Sequence, residues 1–307
     1  MKPLVSIIIN CYNSEKYIKQ TIDSVLSQTY DNWEIIFYDN ASTDNTREII
    51  SFYNNVNFII FTSPNNILLG AARNEAIKLA KGEYIAFLDS DDYWHPNKLE
   101  KQILIFQENL NTGLVYTDAI YFNTSEKKMR LYEYRKYYIG NCIQPLLLDY
   151  FLCMSSCMIK KSIIINYNIE FDNNLLVCED PDYFIQIALR SDFSYCDFPL
   201  TYYRIHDKSL TAQNRELFFT ELSYIMDKLS SYVYSEKKIS FILNLAKKRN
   251  IINKSKYYWS INETNKAFRE LTYNFRFNNF KYILLFCIPY SLVLYIYKII
   301  HPNRVSY

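Results

Sequence analysis

Asp89-Ser90-Asp91-Asp92 puts three carboxylates within four residues, directly behind the apolar run Tyr84 to Leu88. Carboxylates this close repel and raise one another's proton affinity unless a cation sits among them. Hard oxygen donors with positions left open for phosphate suit Mg2+ or Mn2+, so one reading is a metal–diphosphate site. The other is an acidic capping loop ahead of Pro96. Glu179-Asp180 is a second carboxylate pair, far downstream. A general base must be ionised at neutral pH and within hydrogen-bond reach of the hydroxyl it deprotonates. Adjacent side chains cannot both point the same way, so one member is the catalytic candidate and the other structural. Helix capping is the alternative for both.

Further candidates stand at the ends of other predicted elements. Asp39 closes the run Trp33 to Tyr38, where a carboxylate accepts from a uracil N–H, hydrogen-bonds a ribose, or forms a turn. Arg73 lies in the small-residue turn Ala71-Ala72-Arg73-Asn74 and either pairs with an acidic loop or reaches a phosphate. His206 is one of three histidines; Arg204 beside it and Ser209-Leu210-Thr211 after it make an anion-facing loop one reading and a structural histidine the other. No GxxxxGK[ST], GxGxxG, HExxH or GxSxG occurs, and with only four glycines a Gly-rich phosphate cradle is excluded. A metal must take that role.

These residues need elements to hold them. Val5 to Ile9 is a continuous β-branched run of the kind buried on both faces of a sheet. Ser14 is expected to cap a helix with Ile18, Ile22, Val25 and Leu26 on its apolar face. Strands are predicted at Trp33 to Tyr38, Phe58 to Thr62 and Tyr84 to Leu88, with a helix from Leu69 to Lys81 ended by Gly82. Leu114 to Thr117 and Met154 to Ile159 read as further strands. A helix with Phe184, Ile187, Ala188 and Leu189 inward follows Glu179-Asp180, and Pro199 to Ile205 leads into His206. Alternating strands and helices joined by short loops imply a mostly parallel α/β sheet. Ligands collect beyond the carboxyl ends of such strands, which is where Asn10–Asn13, Asp39–Asp44 and Asp89–Asp92 fall.

The 307 residues carry a net charge of +2, which argues against a generic nucleic-acid binder, but the sum hides an imbalance. Residues 1–212 hold 19 Lys and Arg against 26 Asp and Glu, whereas 213–307 hold 15 against 6. Two parts are expected: an α/β domain over 1–212 and a basic helical region over 213–307. Seven cysteines with no CxxC spacing fit reduced thiols in a cytoplasmic protein, and Met1-Lys2-Pro3 opens no signal-peptide h-region. The uncharged run Tyr282 to Tyr297, broken by Pro289, is too short to span a bilayer. Peripheral contact with the cytoplasmic face of the plasma membrane is expected of it, with a buried terminal helix as the alternative.

Taken in order, these motifs resemble the family 2 glycosyltransferases, over roughly residues 3–212. Val5 to Asn13 is similar to the family's opening strand and loop, with Tyr12 and Asn13 near the base. Ser27-Gln28-Thr29-Tyr30, Trp33 to Ile36 and Asp39 match the stretch up to its base-contacting acid. Asn66 to Asn74 resembles its donor-side helix, Asp89-Ser90-Asp91 its DXD motif, Glu179-Asp180 its ED motif, and Tyr203-Arg204-Ile205-His206 its closing segment. Asn10, and Asn40-Ala41 in place of the commoner Asp-Gly, depart from the pattern. The resemblance implies a GT-A (Rossmann-like) fold and inverting transfer from a nucleotide-sugar, a UDP-sugar by preference. The acceptor implied is a glycan or lipid-linked hydroxyl in surface polysaccharide synthesis. It implies Asp180 as base beside Glu179, and Asp91 with Asp89 and His206 on Mn2+ or Mg2+. Tyr12, Asn13, Asp39, Arg73, Asp89, Asp91, Arg204 and His206 then form the donor site. A non-catalytic sugar-nucleotide or glycan-binding module on the same fold is the alternative.

Overall fold

The structure, a computed structural model, describes residues 2–53, 57–123, 128–206, 209–232 and 237–274. The apolar run Tyr282 to Tyr297 therefore lies outside the described residues. The chain divides after Gln213 into two compact units.

In the first unit the strands are β1 (Val5–Cys11), β2 (Trp33–Asp39), β3 (Phe58–Thr62), β4 (Tyr84–Phe87), β5 (Tyr93–Trp94), β6 (Thr112–Phe122), β7 (Lys128–Arg130), β8 (Cys157–Lys160) and β9 (Asp192–Arg204). The helices are α1 (Ile18–Leu26), α2 (Thr46–Ser51), α3 (Leu69–Leu79), α4 (Lys98–Glu108), α5 (Leu131–Tyr134), α6 (Ile143–Leu148), α7 (Lys161–Asn166), α8 (Glu179–Ala188) and α9 (Leu210–Gln213). The strands form one sheet in the order β3-β2-β1-β4-β8-β6-β9-β5, with β7 paired to β6.

The half β3-β2-β1-β4 is parallel, so the carboxyl ends of β1, β2 and β4 share one edge. Beyond β4 the sheet is mixed. β8 runs antiparallel to both β4 and β6, and β9 then lies parallel to β6. The predicted strand at Leu114 is the middle of the eleven-residue β6, and Met154–Ser156 is a 3-10 turn that enters β8 rather than strand.

One core lies on the face bearing Val5, Ile7 and Ile9, against Ile18, Ile22 and Val25 of α1 and Leu99, Ile103 and Phe106 of α4. Leu26, expected inward, is exposed because α1 ends there. Ser14 does not cap α1: Tyr17 is the N-cap, and the Ser14 carbonyl accepts from Tyr17 N and Ile18 N. Beneath the sheet, buried Gln102 donates to Val115 O at 2.8 Å and Ser156 O at 2.9 Å, tying α4 to the incoming strands. The six described cysteines are all buried and free.

The helix α3 stops at Leu79, two residues before the expected end, and Gly82 does not cap it. Gly82 is required by close packing, since a Cβ there would lie 2.6 Å from Ser6 N and 2.7 Å from Leu4 O. The second unit holds α10 (Arg215–Tyr232), α11 (Lys237–Ser260) and α12 (Thr264–Asn274), with Tyr258, Trp259, Ala267 and Leu271 packed together. Among the described residues no helix is long and apolar enough to cross a membrane.

Replacing Gly82 by alanine forces a methyl group against backbone, which overpacking data put at about 1–3 kcal/mol. Gly82→Ala is expected to lower the denaturant midpoint accordingly; an unchanged midpoint would show that the strands can part at that point.

Candidate active site

The loop Asp89–Asp92 leaves β4 and is held from three sides. Asp92 is buried; its Oδ2 accepts from Ser155 Oγ at 2.6 Å and its Oδ1 from Arg204 N at 2.8 Å. Burial pushes its carboxyl well above the usual carboxylate range, with Asp91 and Asp89 adding to the effect. Ser155 Oγ also accepts from Asp89 N at 3.0 Å. From α1, Thr21 Oγ1 donates to Ser90 O at 3.0 Å and Asp92 O at 2.8 Å. A threonine on the buried face of α1 is thereby satisfied by the loop it supports. Arg204, expected on the donor, also braces this loop. It donates from Nε to Asp91 O at 2.8 Å and from Nη2 to Gln20 Oε1 at 2.6 Å. Its guanidinium lies 4.1 Å from the Tyr17 ring centre and 4.5 Å from that of Phe122.

Arg73 joins the two acidic motifs. It is buried on α3, and its Nη2 donates to Asp89 Oδ1 and its Nη1 to Glu179 Oε1, both at 2.8 Å. Two of its five N–H donors are thus spent on carboxylates, the acidic-loop pairing of the two readings open to Arg73. Asp89, expected as a metal ligand, is turned onto Arg73. Glu179, grouped above with the catalytic residues, takes the structural place in its pair. Its remaining Oε2 is buried with no hydrogen-bond partner. Burial raises the Glu179 carboxyl to about 7 although Arg73 pulls the other way. Asp180 points elsewhere and is half-buried, with Oδ2 accepting from the Tyr150 hydroxyl at 2.7 Å. Burial raises it to about 6, opposed by the Tyr150 hydrogen bond and by Arg73.

Asp91 and His206 converge, with Oδ2 2.8 Å from Nε2. Among the described residues no three His, Cys, Asp or Glu side chains cluster as a complete metal site. Two protein ligands, a carboxylate and an imidazole aimed at one point, still fit a divalent cation that takes its other ligands from a diphosphate.

The remaining predicted residues surround the ends of β1 and β2. Tyr12 is exposed. Asn13 has a left-handed φ of 51°, and its side-chain oxygen accepts from Thr43 N at 2.8 Å while its N–H reaches Ser42 Oγ at 3.0 Å. Asp39 is buried; Oδ1 accepts from Ser42 N at 3.2 Å and Oδ2 from Arg47 Nε at 2.6 Å. Any base N–H must share those oxygens. Ser14 Oγ meets Ser90 Oγ at 2.7 Å, linking this group of loops to the acidic loop.

Residues 6–167 match the family model described as glycosyl transferase family 2. The chain belongs to that family. It is 30% identical over 247 residues to the Escherichia coli UDP-Glc:alpha-D-GlcNAc-diphosphoundecaprenol beta-1,3-glucosyltransferase WfgD, covering 78% of this chain and 91% of that one. The fold is that of GT-A glycosyltransferases. It is similar to Staphylococcus aureus TarS 1-349 in complex with UDP-GlcNAc (TM-score 0.68, 20% identity), over 84% of this chain and 75% of that one. In the UDP complex of the same fragment the match spans 65% of its length. The mannosyltransferase PcManGT of Pyrobaculum calidifontis, in complex with GDP-Man and Mn2+, aligns over 99% of this chain and 82% of its own at TM-score 0.65 and 15% identity.

In this glycosyltransferase the structure gives a reason for the amide at Asn40, where the resemblance led to an expected carboxylate. The Asn40 amide donates to Ile67 O at 2.7 Å and accepts from Ile67 N at 3.0 Å, a pairing that a carboxylate cannot complete. Ala41 holds φ at 63°, where glycine is the unstrained residue, and nothing in the structure explains the alanine. Four site residues went unread in the sequence. Asp92 was visible only as a third acid, and Arg47 lies eight residues past Asp39, in the first turn of α2. Ser155 and Tyr150 carry no local signal, Tyr150 being one of 30 tyrosines.

Removing Arg73 leaves Glu179 buried without its counter-charge. Arg73→Met is expected to lower unfolding free energy by about 3 kcal/mol. Glu179, with a folded value above its unfolded one, binds a proton more readily in the native state, so the loss shrinks as pH falls below neutral. Urea titrations on both sides of neutrality check this; a loss that does not change with pH would contradict it.

Proposed function

We propose that the protein is an inverting, metal-dependent glycosyltransferase that moves a sugar from a UDP-sugar to a hydroxyl of a glycan or lipid-linked acceptor in surface polysaccharide synthesis. The observation that carries this reading is the bridge of Arg73 between Asp89 and Glu179, which holds the two acidic motifs one guanidinium apart. Donor and acceptor chemistry must meet at such a distance. The relative named for UDP-Glc and diphosphoundecaprenol supports the donor and acceptor classes, and the TarS complexes support a uridine nucleotide.

In this reading Asp180 is the general base. It is ionised near neutrality, and its Tyr150 hydrogen bond marks where an acceptor hydroxyl would present its proton. The hydroxyl oxygen then attacks the anomeric carbon from the side opposite the departing nucleotide, and Asp180 takes the proton. Asp91 and His206 would hold Mn2+ or Mg2+, and the PcManGT complex supports such an ion. When bound, the cation supplies Lewis-acid stabilisation of the charge on the departing diphosphate. Asp39 and the Tyr12–Asn13 turn would flank the base. Arg73 and Arg204 hold the carboxylates and the loop in place without touching substrate. Residues 282–297 would bring the enzyme to the cytoplasmic face of the plasma membrane.

Asp180→Asn is expected to keep UDP binding by calorimetry while transfer falls by about 10²–10⁴. In the wild type the rate should drop as pH falls through about 6, where Asp180 takes up a proton. Tyr150→Phe removes a bond that favours the carboxylate, so that acid limb should move upward. Transfer by Asp180→Asn at the wild-type rate would overturn the base assignment.

A further inference from the structure

α11 has two faces of different character. One buries Ile242, Leu243 and Ala246 inside its own helical unit. Asn250 joins them by donating to Phe219 O at 2.8 Å and Ser223 Oγ at 2.9 Å on α10. An ordinary surface helix would present mixed charges on the other face. This one does not. Lys238, Phe241, Leu245 and Lys248 follow one another at spacings of three, four and three residues, which sets them on one stripe. Phe241 is 70% exposed and Leu245 44%, between exposed lysines. Lys237 adjoins the stripe, and Tyr232, 77% exposed, ends the preceding α10. The 24 residues of α11 contain seven Lys and Arg and no Asp or Glu. Lys247 and Lys254 are held by Asp227 and Glu270, at 2.7 Å and 2.9 Å, so acids from neighbouring helices pair with flanking lysines.

We propose that this outer face of α11 docks on an anionic lipid bilayer, with Lys237, Lys238 and Lys248 on headgroup phosphates and Phe241 and Leu245 in the boundary with the acyl chains. Charge complementarity selects an anionic surface. The two apolar side chains among the lysines select a bilayer over a purely polar polyanion, because only the bilayer removes them from water. This surface is made only of residues of the second unit, with none of the donor-site or base residues, so it stands whether or not the Asp180 assignment does.

The test is co-sedimentation of the full chain with vesicles of equal parts phosphatidylglycerol and phosphatidylcholine. Each lysine near an anionic surface strengthens partitioning by about fivefold, so Lys237→Glu/Lys238→Glu/Lys248→Glu is expected to weaken it by about a hundredfold or more. Phe241→Ser/Leu245→Ser should also weaken it, while both variants keep the wild-type melting midpoint and UDP-sugar hydrolysis rate. Membrane binding through other residues is common to all three proteins, so their ratio reports on α11. Partition coefficients equal to wild type in the lysine variant would overturn the proposal. So would vesicle binding untouched by the Phe241/Leu245 change with dextran sulfate binding lost in the lysine variant, which would mark a plain polyanion site. A wild-type dimer that Phe241→Ser/Leu245→Ser turns into monomers would assign the face to a second copy and overturn it as well.

Discussion

The buried guanidinium of Arg73, shared between Asp89 and Glu179, is the constraint on which the first unit's arrangement depends. A cation placed out of water needs both partners, and removing either would leave an uncompensated charge. The surrounding structure is shaped to let it sink. Gly70 on α3 brings that helix so close to α8 that a Cβ would stand 3.2 Å from Phe171 Cβ and 3.4 Å from Glu179 Cβ. Asn74, four residues along, locks the Phe171 backbone with a donated and an accepted bond, both 2.9 Å. Phe171 then stacks on Tyr183 of α8 at 3.8 Å. The close approach of α3 and α8 thus follows from glycine, amide and aromatic packing, and the ion pairs come with it.

The mixed half of the sheet has an equally specific purpose. Continuing in parallel beyond β4 would require another crossover helix and would not return a strand along the acidic loop. The antiparallel entry of β8 instead delivers Ser155 beneath Asp89 and Asp92, and β9 ends with Arg204 and His206 over the same loop. Three carboxylates in four residues therefore meet three different fates. Asp92 is buried as an anchor, Asp89 is turned to Arg73, and Asp91 faces His206. Each has its own partner, yet Asp91 still raises the proton affinity of Asp89, and both raise that of Asp92.

Much of this was legible in the amino-acid order. Continuous apolar runs made β1, β2 and β4 plain, and acids immediately after them located the loops. What misled were single residues with two possible uses. Ser14 looks like a cap, but it supplies its carbonyl to α1 and its hydroxyl to Ser90. Gly82 looks like a helix stop, but it is where β4's approach meets the β1 backbone. Arg73 and Arg204 left their partners open, because a sequence cannot tell an arginine facing a ligand from one facing a carboxylate or a carbonyl of its own chain.

The sequence by itself determined the parallel half of the sheet, the family and the positions of both acidic motifs, since hydrophobic period and motif order are local properties. Only the tertiary structure decided the orientations within each motif: Glu179 inward on Arg73, Asp180 on Tyr150, Asp89 on Arg73. Those orientations depend on which carboxylates lose their water and which cation lies within reach, and both are set by segments far apart in the chain.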